Sequence, residues 1–365
     1  MGIGMEATLH DVAKLAGVSI ATASRALSVA SDRPVAAATQ EKVRQAAMRL
    51  KYAPHEEAQR LARGVTNGPR RTYSVGLILN EQSAQLFSDP FWSRVIDGVH
   101  QELLRQEYHL GFTLLNDDLE NGRQRRLLNR SYVDGLIIIG PYYPPASAIG
   151  HERVVLIEPG DLRVFEPTPL ETDIVTIEKG TAMSRLVEHL IGLGHRRFAY
   201  LGGTGGAGGG PGEQRAAAVA QTLAHHSIPL DPDLYRETPW TAERAYDDAM
   251  VLLDRALVPD ALVCASDALA INALRAAKDR GLHVPDDLSL TGFDDIALAR
   301  EVDPPLTTVH VPKETLGAVA VRKLMERLAR PDLPPLIQVV PTTLAIRASS
   351  GPARAGVARA IAEGR

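Results

Sequence analysis

A single cysteine, Cys264, stands among 365 residues, so the chain can close no internal disulfide. It lies within an apolar run, where a thiol serves as a small core hydrophobe rather than a reactive group. This usage fits a reducing, cytoplasmic setting. No run of 18 apolar residues exists, which argues against a membrane-spanning helix. The opening residues have neither a charged n-region nor an apolar h-region, so no secretory signal is expected. Glu6 stands where a myristoylation signal requires Ser or Thr. Also missing are the G-x-S-x-G, Walker A and H-E-x-x-H motifs, which removes the sequence signatures of several hydrolase, NTPase and metalloprotease classes. The chain therefore reads as a non-enzyme without cofactor or metal.

What is present begins at Thr8. Thr8 with Asp11 three residues on is a capping-box pattern, so a first helix starts there. Val12, Ala13, Leu15 and Ala16 supply its apolar face, and Gly17 suits the left-handed turn that ends a helix. Val18 plugs the turn, and Ser19 can cap a second helix running to Leu27. Ala23, Ala26 and Leu27 face inward on it. Ile20, Ala21, Thr22 and Arg25 face out, with nothing bulky enough to bar that face from a major groove. A third helix carries Val43, Ala47 and Leu50 at i, i+4 and i+7, completing a three-helix unit.

Charge divides the chain. Residues 1–71 hold 11 Lys/Arg against 6 Asp/Glu, a net of +5, while the remainder holds 29 against 38, a net of −9. A basic head on an acidic body is the footprint of a DNA-binding module joined to something else. An ordinary helical hairpin accounts for neither the third helix nor this asymmetry.

Residues 54–63 form a potential helix, with Pro54 suited to its first turn and Gly64 to its end. It is too short to be stable alone in water. A linker follows to residue 72. Beyond it, apolar runs at 74–79, 110–115, 135–139, 154–157, 198–201, 261–265 and 288–291 read as strands. Helical stretches at 92–106, 181–193, 213–224, 242–257 and 268–280 alternate with them. Strand–helix alternation with continuous apolar strands indicates parallel sheets covered on both faces. A body of about 275 residues suggests two such lobes.

At this point the residues resemble the lactose/galactose repressor (LacI/GalR) family of bacterial transcription regulators. The resemblance runs from Thr8 to Arg347. It rests on Asp11, Val12, Ala13, Gly17, Ser19 and Arg25; on Glu188, His189 and Leu193 to Arg197; on Ala265, Ser266 and Asp267; on Gly281 to Pro285; on Gly292 to Asp295; and on Pro304 to Val309. Asp89 to Trp92 and Ala265 to Ile271 look closest to regulators of galactoside use.

The resemblance implies an α/β fold: an N-terminal three-helix helix-turn-helix headpiece (1–53), a hinge helix and linker (54–72), and a two-lobe effector domain like periplasmic sugar-binding proteins. Its first lobe would comprise 73–172 with 306–334, its second 173–305 with 335–349, and 350–365 a tail. The chain would cross between lobes near 170–173, 304–308 and 331–335. On double-stranded operator DNA, Ile20, Ala21 and Arg25 would reach base edges. Thr8, Ser19, Thr22 and Ser28 would bond phosphates. Leu61 would wedge into the minor groove, with Ala58 and Ala62 allowing close approach. A homodimer is implied, and without leucine heptads in the tail no tetramer is expected.

For a sugar effector, the resemblance makes Arg215 a two-hydroxyl donor and Asp267 and Asp294 acceptors. Trp240 with Phe91 or Trp92 would stack on the sugar's C–H face. The chain departs from the family at Ala36, where a capping serine is usual, at His55 in the hinge, at Ser266, and at Glu178 and Lys179, which replace an Asp-Asn pair.

Three other motifs carry less. Gly203, Gly205 and Gly208 match a dinucleotide fingerprint, but further glycines around Pro211 prevent a helix from starting where that motif needs one. His225 and His226 share no carboxylate or cysteine at ligand spacing. Asp294 and Asp295 are adjacent and do not face each other across a substrate as a glycosidase pair would. The alternatives to an inducible, cytoplasmic, nucleoid-associated repressor are a sugar sensor without operator preference and a co-repressed regulator.

Overall fold

The computed structural model describes residues 8–27, 35–50, 52, 71–79, 89–115, 125–128, 131–140, 150–160, 171–203, 211–254 and 259–354. The chain forms two units, Met1–Arg70 and Arg71–Arg365.

In the first unit α1 (Leu9–Ala16), α2 (Ile20–Ala26) and α3 (Ala37–Arg49) enclose a core of Val12, Ala13, Ala23, Ala26, Val43, Ala46 and Ala47. Mostly small side chains let the helices approach closely. Thr8 and Asp11 close a reciprocal cap, and Gly17 takes φ 67° to end α1. Leu15 differs from expectation, being 47% exposed. The buried stripe is Leu9, Val12, Ala13 and Ala16, one helical face at i, i+3, i+4 and i+7, and Leu15 lies beside it. Ala36 offers α3 no side-chain acceptor. Ser28, Ala58, Leu61 and the expected hinge helix lie outside the described residues.

The second unit runs β1 (Ser74–Leu79), α4 (Trp92–Arg105), β2 (His109–Leu115), β3 (Gly135–Ile139), β4 (Val154–Ile157), β5 (Asp173–Ile177), α5 (Lys179–Gly192), β6 (Phe198–Gly202) and α6 (Pro211–His225). It continues through β7 (Tyr235–Glu237), α7 (Ala242–Leu253), β8 (Ala261–Cys264), α8 (Asp267–Asp279), β9 (Ser289–Thr291), β10 (Thr308–His310), α9 (Lys313–Ala329), β11 (Ile337–Val340) and β12 (Thr343–Ala345). One parallel sheet has the order β11-β5-β4-β3-β1-β2, the other β7-β6-β8-β9, and β10 and β12 form an antiparallel pair. Strands β1, β3, β4, β5, β6, β8 and β9 are buried at every residue, as sheets covered on both faces require. Among the described residues no helix is long and apolar enough to cross a membrane.

The sheets move the expected lobe boundaries. β5 and β11, assigned above to the second lobe, complete the first sheet, with Ile337 opposite Ile174. The first and third crossings therefore fall after Ile177 and after Val340. The second falls after β10, because Thr307 and His310 still bridge to Thr291 and Asp294 beside the second sheet. Helix α9, absent from the sequence reading, then returns to pack on α4, β3, β4 and β5. A Cβ on Gly98 of α4 would stand 2.1 Å from the Glu314 carbonyl oxygen, and one on Gly317 2.2 Å from that of Val95. Helices α4 and α9 thus touch backbone to backbone.

Candidate functional site

The parallel strands of the second sheet end in loops, the place where open α/β sheets bind ligands. β6 leads to Gly203, β8 to Ala265 and Ser266, and β9 to Gly292, Phe293, Asp294 and Asp295. Arg215, in the first turns of α6, is only 6% exposed. Its guanidinium carbon sits 3.9 Å over the Phe293 ring, its Nη1 donates to the Ala265 carbonyl, and its Nη2 lies 3.6 Å from Asp294 Oδ1. A buried guanidinium between a ring face and a carboxylate is held in place by both. Its Nε has no partner among the described residues.

Asp294 holds φ 112°, an uncommon geometry for a residue with a side chain. Its N–H donates to Val309 O at 2.9 Å, and its carbonyl accepts from Lys313 Nζ. Burial pushes its carboxyl up to about 7, with the charges of Asp89 and Glu158 adding to the rise and Arg215 and Lys313 opposing it. Asp89 brings the first sheet's side into the site. Its Oδ1 accepts from the backbone N–H groups of Phe91 at 2.8 Å and Trp92 at 3.0 Å. This caps α4 and fixes the two rings edge to face, 4.8 Å apart. Both rings pack partly against the core.

Trp240 lies over Gly203, which follows β6, and Gly212, in the first turn of α6. A Cβ on Gly203 would stand 3.0 Å from its Nε1, and one on Gly212 3.2 Å from its Cζ2. The indole keeps 40% of its surface exposed. The glycine loop between them, 204–210, lies outside the described residues.

Asp267, expected as an effector acceptor, is tied into the interior by its own hydrogen bonds. It is fully buried, its Oδ1 accepts from Thr308 Oγ1 at 2.5 Å, and its Oδ2 accepts from Ile296 N–H at 2.8 Å. Burial, and then the Asp294 charge, push its carboxyl up to about 8. These bonds join α8 to β10 and to the loop after β9. Cys264, directly before this turn, is fully buried and burial raises its thiol pKa.

Several residues of the site escaped the sequence reading. Lys179 Nζ pairs with Glu158 Oε2 at 2.5 Å, with both side chains buried. Glu158 Oε1 also accepts from Ile177 N–H at 2.8 Å and Thr176 Oγ1 at 2.7 Å. Glu178, the other member of the divergent pair, turns to Arg185 and to Thr342 N–H. Lys313 Nζ reaches the carbonyls of Asp294, Asp295 and Val311. Asp295 binds Arg300, Arg347 and His310; burial alone would raise its pKa, but these hydrogen bonds outweigh it and hold the carboxyl well below the usual range. Only the positions of these charges were readable beforehand, because their partners are remote in sequence.

On the first unit, Ser19 Oγ accepts from Thr22 N–H at 3.1 Å and caps α2. Thr8, Ser19, Ile20, Ala21 and Arg25 are exposed and Thr22 partly so. Arg25 Nε donates to Ala21 O at 3.2 Å, laying the guanidinium along the outer face of α2. Ile20 is 48% exposed.

Residues 8–55 match the family described as bacterial regulatory proteins, lacI family, and residues 187–350 a periplasmic binding protein-like domain. The HTH-type transcriptional regulator CelR of Thermobifida fusca is 31% identical over 346 residues, which cover 94% of this chain and 98% of that protein. A solved complex of the transcriptional regulator CelR with cellobiose superposes with a TM-score of 0.67 at 28% identity, covering 94% of this chain and all of that one. The Lac repressor dimer bound to operator and the anti-inducer ONPF gives 0.75 at 27% identity, covering 94% and 99%.

Proposed function

The chain belongs to the LacI family of bacterial transcription regulators, and from that premise we propose that it is a sugar-responsive repressor, a homodimer released from a palindromic operator by a sugar inducer. The observation that carries the effector reading is the buried Arg215–Asp294 pair, with a spare guanidinium donor, beside the exposed face of Trp240. Arg215 already faces Asp294, and Lys179 already faces Glu158. Such a site offers hydrogen bonds from paired side chains rather than a lone unpartnered ion, which suits a neutral polyhydroxyl ligand. Galactose or a galactoside is one candidate. Cellobiose, bound to CelR in its solved complex, is the first probe.

The DNA reading rests on the exposed face of α2, from Ile20 to Arg25. One headpiece covers too little DNA for useful specificity, whereas two on a dyad read a palindrome. Ser28 and the hinge residues Ala58 and Leu61 are proposed DNA contacts on the family pattern alone. A sugar can shift operator affinity only by its differential affinity for the two states, typically about 1–3 kcal/mol of coupling.

The test is a pair of titrations. A sugar at 100 times its Kd adds about 2.7 kcal/mol to native stability, readily seen as a thermal shift. Cellobiose, galactose and lactose are screened in this way, and the active sugar is then added to protein bound to a fragment of its own promoter. Release is expected. Tighter DNA binding on adding sugar would make the chain a co-repressed regulator. DNA binding indifferent to sequence and salt would leave a sugar sensor and overturn the repressor reading.

A further inference from the structure

The second unit begins at a buried carboxylate. Asp134 is 4% exposed. Its Oδ1 accepts from Thr72 N–H at 2.7 Å and Thr72 Oγ1 at 3.1 Å, and its Oδ2 accepts from Tyr73 N–H at 3.0 Å. Its own N–H donates to Ser74 O at 2.8 Å. Four bonds thus hold three consecutive residues where the chain enters from the segment that joins it to the headpiece. Tyr73 takes φ 53°, the left-handed region, and the clamp fixes it there. The Tyr73 ring also rests 5.5 Å from that of Tyr108.

The clamp adjoins α9. A Cβ on Gly135, the next residue, would stand 2.7 Å from Leu324 Cδ1, so α9 presses directly on this turn. Eleven residues earlier, about 16 Å along the helix, Lys313 grips the carbonyls of Asp294 and Asp295 at the candidate effector site. Between these ends Gly98 and Gly317 lock α9 to α4 backbone to backbone, so the helix behaves as a stiff rod. We propose that Asp134 is the positioning residue that couples the effector site to the headpiece linker. Displacement of the Asp294 loop moves Lys313 and α9, and the Asp134 clamp delivers that movement to Thr72 and Tyr73. This rests on the repressor reading for its biological meaning but not for its mechanical test.

A contiguous chain of contacts becomes a coupling only when perturbing one end is felt at the other. The experiment uses the full chain as wild type, Asp134→Asn, Lys313→Met and the double variant, and reads amide hydrogen exchange at Thr72 and Tyr73. Val263 in β8 serves as the reference. Asp134→Asn should raise exchange at both amides at least tenfold and leave Val263 unchanged. Lys313→Met, which touches neither amide, should raise it severalfold, and the double variant should exceed Asp134→Asn only marginally. Unchanged exchange at Thr72 and Tyr73 in Lys313→Met would overturn the coupling, as would simple multiplication of the two effects. With cellobiose as probe, Asp134→Asn should keep the sugar Kd within twofold while bringing the ratio of promoter affinities with and without sugar toward one. An unaltered ratio would equally overturn it. If the wild type ignores sugars altogether, the repressor reading falls, and the exchange data decide the coupling by themselves.

Discussion

Asp267→Ala separates a strut from a ligand acceptor. The carboxylate satisfies the Thr308 hydroxyl and the Ile296 N–H, both in the interior. Removing it strands two buried donors at about 1–3 kcal/mol each, a total loss of about 2–6 kcal/mol, before any cavity. Asp267→Asn keeps the shape and one acceptor oxygen, so about 1–2 kcal/mol is expected. The pH dependence adds a second signature. Burial pushes the native carboxyl up to about 8 from an ordinary value of 3.8. The native state therefore holds the proton more tightly than the unfolded chain, and this group's contribution to stability is lost as pH rises through that window. Asp267→Asn has no such group, so its deficit against wild type should shrink from pH 6 to pH 9. Urea titrations at several pH values read both effects, and calorimetry reads the sugar Kd of the folded fraction, which should not move. A variant of wild-type stability that binds sugar tenfold more weakly would refute the strut and restore Asp267 to the ligand.

Arg215→Met should leave a folded protein whose sugar affinity falls at least tenfold in calorimetry, since hydrogen bonds from a charged donor contribute about 1.5–3 kcal/mol; affinity within twofold of wild type would contradict the site. Arg25→Ala should weaken binding to the promoter site by about 1–3 kcal/mol and relax one base position in a binding-site selection, without moving the sugar Kd. Gly98→Ala drives a methyl toward the Glu314 carbonyl at 2.1 Å and should lower stability by about 1–3 kcal/mol in urea, whereas a neutral outcome would mean that α4 and α9 can separate freely.

Much of the fold was legible because the core strands are unambiguous. Residues 74–79, 135–139 and 154–157 are continuous apolar runs, and their strands have those bounds. What escaped had mixed signals. Helix α9 buries Lys313, Lys323 and Arg327 along with its apolar residues, so no clean polar face marks it. β11 is a largely exposed edge strand, and β5 is a short run opening on a buried aspartate. Of the candidate site, Arg215 and Asp294 could be chosen by family likeness, and the structure brings them together. For Asp267 the likeness gave no sign of its internal bonds. Its position is right beside the site, but Thr308 lies 41 residues away, and only the fold reveals that this hydroxyl uses its oxygen.

The charges whose partners the sequence did not reveal share a location, which gives them a common physical sense. At the first crossing Lys179 meets Glu158, and Glu178 reaches Thr342 at the third. At the second, Lys313 holds the carbonyls of Asp294 and Asp295. Beside the approach to β11, Asp173 binds Arg327 at 2.8 Å and the Leu336 N–H at 2.9 Å. Buried ion pairs contribute little net stability compared with well-packed apolar groups, because both charges lose their hydration. They do impose one geometry, since any displacement leaves a charge buried and unpaired. A pure apolar seam at these crossings would tolerate sliding between many similar packings, whereas polar ties permit few arrangements and make the transition between them discrete. A discrete transition is what a ligand of modest differential affinity needs in order to move the whole unit from one state to another.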